Sequence, residues 1–330
     1  MNFVTMRLFS LPLVAFFITW ALIFIMLRSG AVQFAMDNPN QRSLHSVPIL
    51  RTGGIAIIVG ILFASLGLAA FQWLWPPLLL AVALAGVSCI DDIRGLPVLL
   101  RFTAHFGAAL LCVASSLPEL DPIELTAAVF FLVWMTNLYN FMDGSDGLAG
   151  GMALFGFGFY GTAAWLAGNA ALTAASISVA AAAAAFLVFN FHPAKVFMGD
   201  TGSISLGFLA AALGLLGWTR GVWPVWFPGL VFSPFLVDAS VTLARRLGRG
   251  DKIWQAHKEH YYQRLVRMGH GHRNTALMEY LLMIGVGGSA IWGSSLDHKT
   301  QLVLVLSWGC LYTVLGWVID TRWKRFNEGA

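Results

Sequence analysis

Residues 8–27 are twenty consecutive positions without a charge, bracketed by Arg7 and Arg28. At 1.5 Å per residue such a helix is about 30 Å long, the thickness of a bilayer's hydrocarbon core. A retained span is expected here rather than a signal peptide, because the run exceeds the usual apolar core of a signal sequence. Similar segments recur at 53–71, 76–90, 98–117, 123–138, 150–167, 170–189, 202–218, 226–244, 275–294 and 301–319. Only 11% of the chain is charged, against about 25% in a soluble domain. The expected fold class is therefore all-α: one polytopic membrane domain over residues 1–330, with about eleven transmembrane helices. Two of the segments, 76–90 and 123–138, are short for a span.

Charge sets the direction. With the N-terminus outside and the connections alternating, 17 of the 20 Lys and Arg fall on the inner side, and only Arg7, Arg220 and Lys299 lie outside. The N-terminus is expected to be periplasmic and the C-terminus cytosolic. Cys89, Cys112 and Cys310 lie in apolar segments without metal-ligand spacing and read as small buried hydrophobes. The alanine run 180–185 reads as a close-packing helix face.

Polar chemistry collects on the inner side in five islands: "DNPNQRSLHSVPILRTGG" (37–54), "DDIRGLPVLLR" (91–101), "NLYNFMDGSDGLAGG" (137–151), "NFHPAKVFMGDTGS" (190–203) and the basic stretch 245–274. Lipid offers such polar, glycine-rich sequence no hydrogen-bond partner, so it must be solvated, liganded or paired. Asp91 with Asp92, Asp143 with Asp146, and Asp200 within "MGDTGS" bring carboxylates to one level, where they repel unless a cation intervenes. Adjacent acids can also simply cap helices or face water, but three acidic islands on one face are harder to explain so. An all-oxygen set without a Cys/His cluster favours Mg²⁺ or Mn²⁺ over Zn²⁺. His45, Arg42, Arg94, Arg101, Lys195, His257, His260 and Arg264 share this face, and cations beside a metal suit phosphoryl groups. Positive-inside bias explains most arginines of 245–273, though not the histidine–tyrosine pattern of "HKEHYYQRL". No GxxxxGK[ST] or GxGxxG occurs, which argues against a nucleoside-triphosphate loop.

In order and spacing, "RSLHSVP…GG", the "DD" pair, "NxxNFxDGxDGLAGG", "NxxPAKVFMGDTGSxxLG" and "HxxHxYQRL…G" resemble the polyprenyl-phosphate N-acetylhexosamine-1-phosphate transferase family (glycosyltransferase family 4). The resemblance covers nearly the whole chain. The form of the last motif is similar to the bacterial branch that initiates O-antigen or related surface glycans. It implies transfer of an N-acetylated sugar-1-phosphate from a UDP-sugar to undecaprenyl phosphate at the cytosolic face of the bacterial inner membrane, releasing UMP. It further implies Mg²⁺ or Mn²⁺ on Asp200 and Asn140, and catalytic roles for Asp91, Asp92, Asp143 and Asp146. Substrate contacts are implied for His45, Arg101, Asn137, Lys195, His257, His260 and Arg264. Asp238 is expected to pair structurally. A metal-dependent membrane phosphatase would use the same metal logic; a transporter fits less well, because no internal repeat or midplane charge is evident. Membrane lipid is an expected partner and nucleic acid is not, and a homodimer is left open.

Overall fold

The computed structural model describes residues 3–29, 36–37, 48–68, 71–252 and 257–328. Among them run thirteen α-helices: α1 (Phe3–Ser29), α2 (Gly53–Leu66), α3 (Trp75–Arg94), α4 (Val98–Ser116), α5 (Pro122–Met142), α6 (Leu148–Leu166), α7 (Ala170–Asn190), α8 (Gly199–Thr219), α9 (Trp226–Val231), α10 (Ser233–Gly248), α11 (Tyr261–Leu265), α12 (Gly271–Ser294) and α13 (His298–Glu328). Among the described residues, extended structure is confined to a two-residue antiparallel pair, Met36–Asp37 with Ile49–Leu50, and an isolated bridge from Leu50 to Val196. The chain is an all-α, multi-pass membrane protein.

Helix is found within each expected segment among the described residues, but fewer than eleven have the length and apolarity of a span. Eight helical segments among the described residues are long and apolar enough to cross a membrane. The other three places are held by α2, which has 14 residues, by the glycine-rich α6, and by α9 and α10, which divide the segment 226–244. Phe232 separates α9 from α10, and Pro234 follows in the first turn of α10. Proline lacks the amide that would bond back to the preceding turn, so a break is favoured there.

The bundle is built around α8, whose side chains are almost all buried. Its partners are α3 and α5, with α2 crossing near its start; α1, α2 and α7 form one flank, and α6 packs on α7 and α12. Smallness makes this possible. A methyl group on Gly54 of α2 would overlap the backbone of Gly202, and one on Gly207 would meet Tyr139 and Met135 of α5. Lipid gives helices no hydrophobic reason to associate, so close backbone approach through small residues is what holds them. The opposite case is α13. Over 31 residues it buries only Gln301.

Candidate active site

The start of α8 is where the acidic islands meet. The chain before α2 zips onto the chain before α8: Phe197 N donates to Leu50 O (2.7 Å), Gly53 N to Phe197 O (2.9 Å) and Gly54 N to Met198 O (2.9 Å). This seats Arg51 against Asp200 in the first turn of α8 and Asp92 in the last turn of α3. One guanidinium nitrogen, Arg51 Nη2, lies 3.0 Å from Asp200 Oδ1 and 3.1 Å from Asp92 Oδ1. Gly199 carries φ +69° and packs against Arg51 O and the Asp92 carboxylate. A side chain there would be strained in backbone and crowded in space.

Around this pair, Thr201 Oγ1 donates to Asp92 Oδ2 (3.2 Å), and Asn140 from the end of α5 is a neighbour of the Asp200 carboxylate. Ser203 Oγ donates to Asn140 Oδ1 at 2.7 Å, which fixes the amide's orientation. Arg101 of α4 closes the other side, 4.0 Å from Asp200 Oδ2 and 3.1 Å from Asp91 Oδ2. The two adjacent aspartates therefore differ. Asp91 accepts from Leu96 N (2.6 Å) and Arg101, stapling the α3–α4 turn. Asp92 faces Asp200. About 100° of helix rotation separates neighbouring residues, so only one of a "DD" pair can face the bundle axis.

Asp146 occupies a second cluster. It is 7% exposed; its Oδ2 is 2.7 Å from His192 Nδ1 and accepts from Ala194 N (3.1 Å), while Oδ1 lies 3.8 Å from His272 Nδ1. The two imidazoles are stacked at 5.6 Å, and Ser145 Oγ is 2.8 Å from His272 Nδ1. Asn190 ties the same turn together, accepting from Gly147 N (3.0 Å) and donating to Val196 O (2.9 Å). Asp146 thus joins the 137–151, 190–203 and 270–274 segments. Asp143 caps α5, near Tyr139 and Tyr262.

The histidine segment forms a third group. Asp238 on α10 accepts from Tyr261 N (2.9 Å) and Tyr262 N (3.0 Å) and lies 3.3 Å from His260 Nδ1, so it nucleates α11 and is structural, as expected. His257 and His260 come together with ring centroids 4.8 Å apart, although His257 precedes the helix. Burial, with His260 and Arg246 nearby, pushes the His257 imidazole down to about 4. It is neutral at pH 7 and acts as a hydrogen-bonding group, not as a fixed cation. Arg264 pairs with Asp320 of α13 at 2.8 Å, outside the Asp92–Asp200 cluster.

The structure thus brings Asp92, Asp200, Asn140, Arg101 and Asp91 into one centre. Asn137 turns its amide back to Val133 O (2.7 Å), Lys195 is exposed, and His45 lies outside the described residues. Arg51, His192 and His272 were not singled out from sequence. Arg51 looked like one more inner-side arginine; its signal is the "RTGG" that starts α2.

The donor set fits a hard divalent cation. Two carboxylates already converge on one positive nitrogen, and Asn140 stands beside them, its Oδ1 accepting from Ser203 and its amide hydrogen-bonded to Asp200. No group of three His, Cys, Asp or Glu converges as a metal cluster among the described residues. The shell the protein supplies is partial, which suits Mg²⁺, since that ion keeps waters and takes phosphate oxygens.

Fold and site together define a membrane-embedded helical bundle with an acid–arginine centre at one end. Residues 74–217 match the model for glycosyl transferase family 4. The chain is 30% identical to a decaprenyl-phosphate N-acetylglucosaminephosphotransferase of Mycobacterium tuberculosis (strain CDC 1551 / Oshkosh), over 82% of this chain and 77% of that one. A probable undecaprenyl-phosphate N-acetylglucosaminyl 1-phosphate transferase of Bacillus subtilis (strain 168) is 29% identical over 89% and 88%. An undecaprenyl-phosphate alpha-N-acetylglucosaminyl 1-phosphate transferase of Yersinia pestis is 28% identical over 98% and 94%. The chain belongs to the polyprenyl-phosphate N-acetylhexosamine-1-phosphate transferase family.

Proposed function

We propose that this chain transfers an N-acetylated sugar-1-phosphate from a UDP-sugar to undecaprenyl phosphate, releasing UMP and leaving a lipid-linked diphosphate sugar. The observation that carries this reading is the convergence of Asp92 and Asp200 on Arg51 at the mouth of the bundle, with Arg101 alongside. Such a centre suits two phosphate-bearing substrates, one of them held in the membrane. The relatives' names supply the polyprenyl phosphate and the sugar phosphate.

The chemistry is a charge problem. The acceptor's phosphate monoester has a second pKa near 6, so at neutral pH it is mostly a dianion and needs little base help (about 6 is the value for phosphorylated side chains). A lipid phosphate oxygen bonds to the phosphorus carrying the sugar; the bridging P–O bond to the nucleotide breaks, and its electrons leave with UMP. Arg51 and Arg101 draw the two anions together, and Asp92 takes any residual proton of the acceptor. Asp91 holds Arg101 in place. Asp146 keeps its three segments in register, so the donor meets a prebuilt wall. A Mg²⁺ or Mn²⁺ ion would be held by Asp200 and Asn140, with Asp92 beside them; when bound it neutralises charge on the diphosphate oxygens.

On this reading the site faces the cytosol of a bacterial inner membrane, with the N-terminus periplasmic and the C-terminus cytosolic, and the product enters surface-glycan synthesis. Direct attack makes a covalent enzyme intermediate unnecessary. The test is to give purified protein a panel of UDP-N-acetyl sugars with undecaprenyl phosphate and Mg²⁺. UMP and a lipid diphosphate sugar are expected, with no UMP when the acceptor is omitted. Release of inorganic phosphate alone would indicate a phosphatase. A stoichiometric phosphosugar trapped on Asp91 or Asp92 would establish a two-step route.

A further inference from the structure

Beside the C-terminal part of α13 lies a cleft of about 430 Å³ that the transfer chemistry does not use. Arg245, Arg249, Arg264 and Lys324 line it with Trp317 and Trp323. Three carboxylates oppose these four cations and Arg246, and all are already engaged: Asp320 by Arg245 and Arg264, Glu259 by Arg246 and Arg249, and Asp251 by Arg249. A net positive charge therefore remains. Arg264 is 8% exposed, and its Nε is buried without a hydrogen-bond partner. A buried guanidinium N–H left unpaired costs free energy, so the charge of Arg264 is incompletely compensated where it lines the cleft.

Below the cleft, α13 carries an apolar stripe. Val303, Leu306, Cys310, Val314 and Trp317 are spaced three and four apart, which places them on one helix face, and all are exposed. Trp317 belongs to both the stripe and the cleft wall. The stripe runs about 21 Å along the helix axis, within the roughly 30 Å hydrocarbon core. Cations and tryptophans at a helix end above an apolar track match the depth profile of one phospholipid: phosphate at the rim, chain below.

We propose that this cleft binds the phosphate headgroup of an anionic phospholipid, whose acyl chain lies along the Val303–Trp317 face of α13. A second copy of the chain is the competing occupant. Two copies in one membrane share orientation, so a two-fold contact through this face would bring their basic clefts together at equal depth. Like charges oppose that contact, whereas an anionic lipid relieves them. The proposal rests on the chain spanning a membrane and not on the transferase reading, so either can fail alone.

Native mass spectrometry of the full chain in detergent, titrated with phosphatidylglycerol or phosphatidylcholine, tests it. The wild-type chain should retain phosphatidylglycerol about tenfold more strongly, and Lys324→Glu and Arg245→Gln should each cut this preference to about twofold. The lipid comparison on wild type stands even if a variant folds poorly. Equal retention of the two lipids, or a preference unchanged in both variants, would overturn the proposal. Displacement of the lipid by millimolar inorganic phosphate would show a free-anion site instead. A disulfide-linked dimer through Cys310 under mild oxidation would give the stripe to a second copy.

Discussion

Helices α8 and α13 make the instructive comparison. Both are long and apolar enough to span a membrane, and α13 scores higher in hydropathy, yet α8 is almost wholly buried while α13 buries a single residue. Oiliness marks a span; it does not mark the centre. What distinguishes α8 is its Gly, Ala and Ser content, which lets α2, α3 and α5 approach closely and brings their polar ends to one point. The proposed reaction centre sits at the start of this small-residue helix. The helix with larger exposed side chains is left for lipid.

The sharpest way to break this comparison is at Asp200. Asp200→Asn keeps the shape and removes the charge, and UMP release should fall about 1000-fold with the protein still folded. Activity within a few-fold of wild type would move the centre elsewhere. Next comes the pair at the end of α3. Asp92→Asn should cost about 100-fold, while Asp91→Asn should cost about tenfold, because an amide oxygen can still accept from Leu96 N. Equal losses would mean that the two aspartates act as one unit.

Packing gives a smaller effect with a built-in control. Gly202→Leu inserts a side chain where α2 and α8 touch, and should destabilise by about 1–3 kcal/mol or more, seen as a lower melting temperature. Gly309→Leu on α13 meets open space and should change stability by less than about 0.5 kcal/mol. Similar losses at both positions would erase the distinction between core and periphery.

The smallest effect concerns His257. Its imidazole is pushed down to about 4, below the unfolded value of about 6.5. As pH falls from 6.5 toward 4, the unfolded segment takes a proton that the folded one refuses, so stability is lost across that window and is constant below it. Hydrogen-exchange protection over residues 257–265, taken relative to the intrinsic rate at each pH, should therefore fall between pH 7 and pH 5, and His257→Gln should flatten the response. A wild-type segment that is equally protected at both pH values would contradict this.

Much of this was legible in the sequence. Length and hydropathy placed helices at every expected segment, and the islands located the acidic centre because charges beside lipid need a reason. Three features were hidden, each for a physical cause. Arg51 was indistinguishable from the other inner-side arginines until the bond from Phe197 N to Leu50 O seated it on Asp200. The Asp146–His192–His272 cluster joins residues up to 126 positions apart, and no periodicity encodes such a pairing. Arg264 reads as a substrate ligand from its motif, but its pairing with Asp320 of the remote α13 seats it in the cleft beside that helix, away from the Asp92–Asp200 centre.

The central claim is that the Asp92–Asp200 centre moves a sugar-1-phosphate as one unit. The direct measurement uses a UDP-N-acetyl sugar carrying ³²P on the sugar-side phosphate, with undecaprenyl phosphate and Mg²⁺. All transferred label should appear in the lipid fraction while UMP leaves unlabelled, and Asp200→Asn protein should give neither. Label in inorganic phosphate or free sugar phosphate, or wild-type labelling of lipid by the Asp200→Asn protein, would contradict the account.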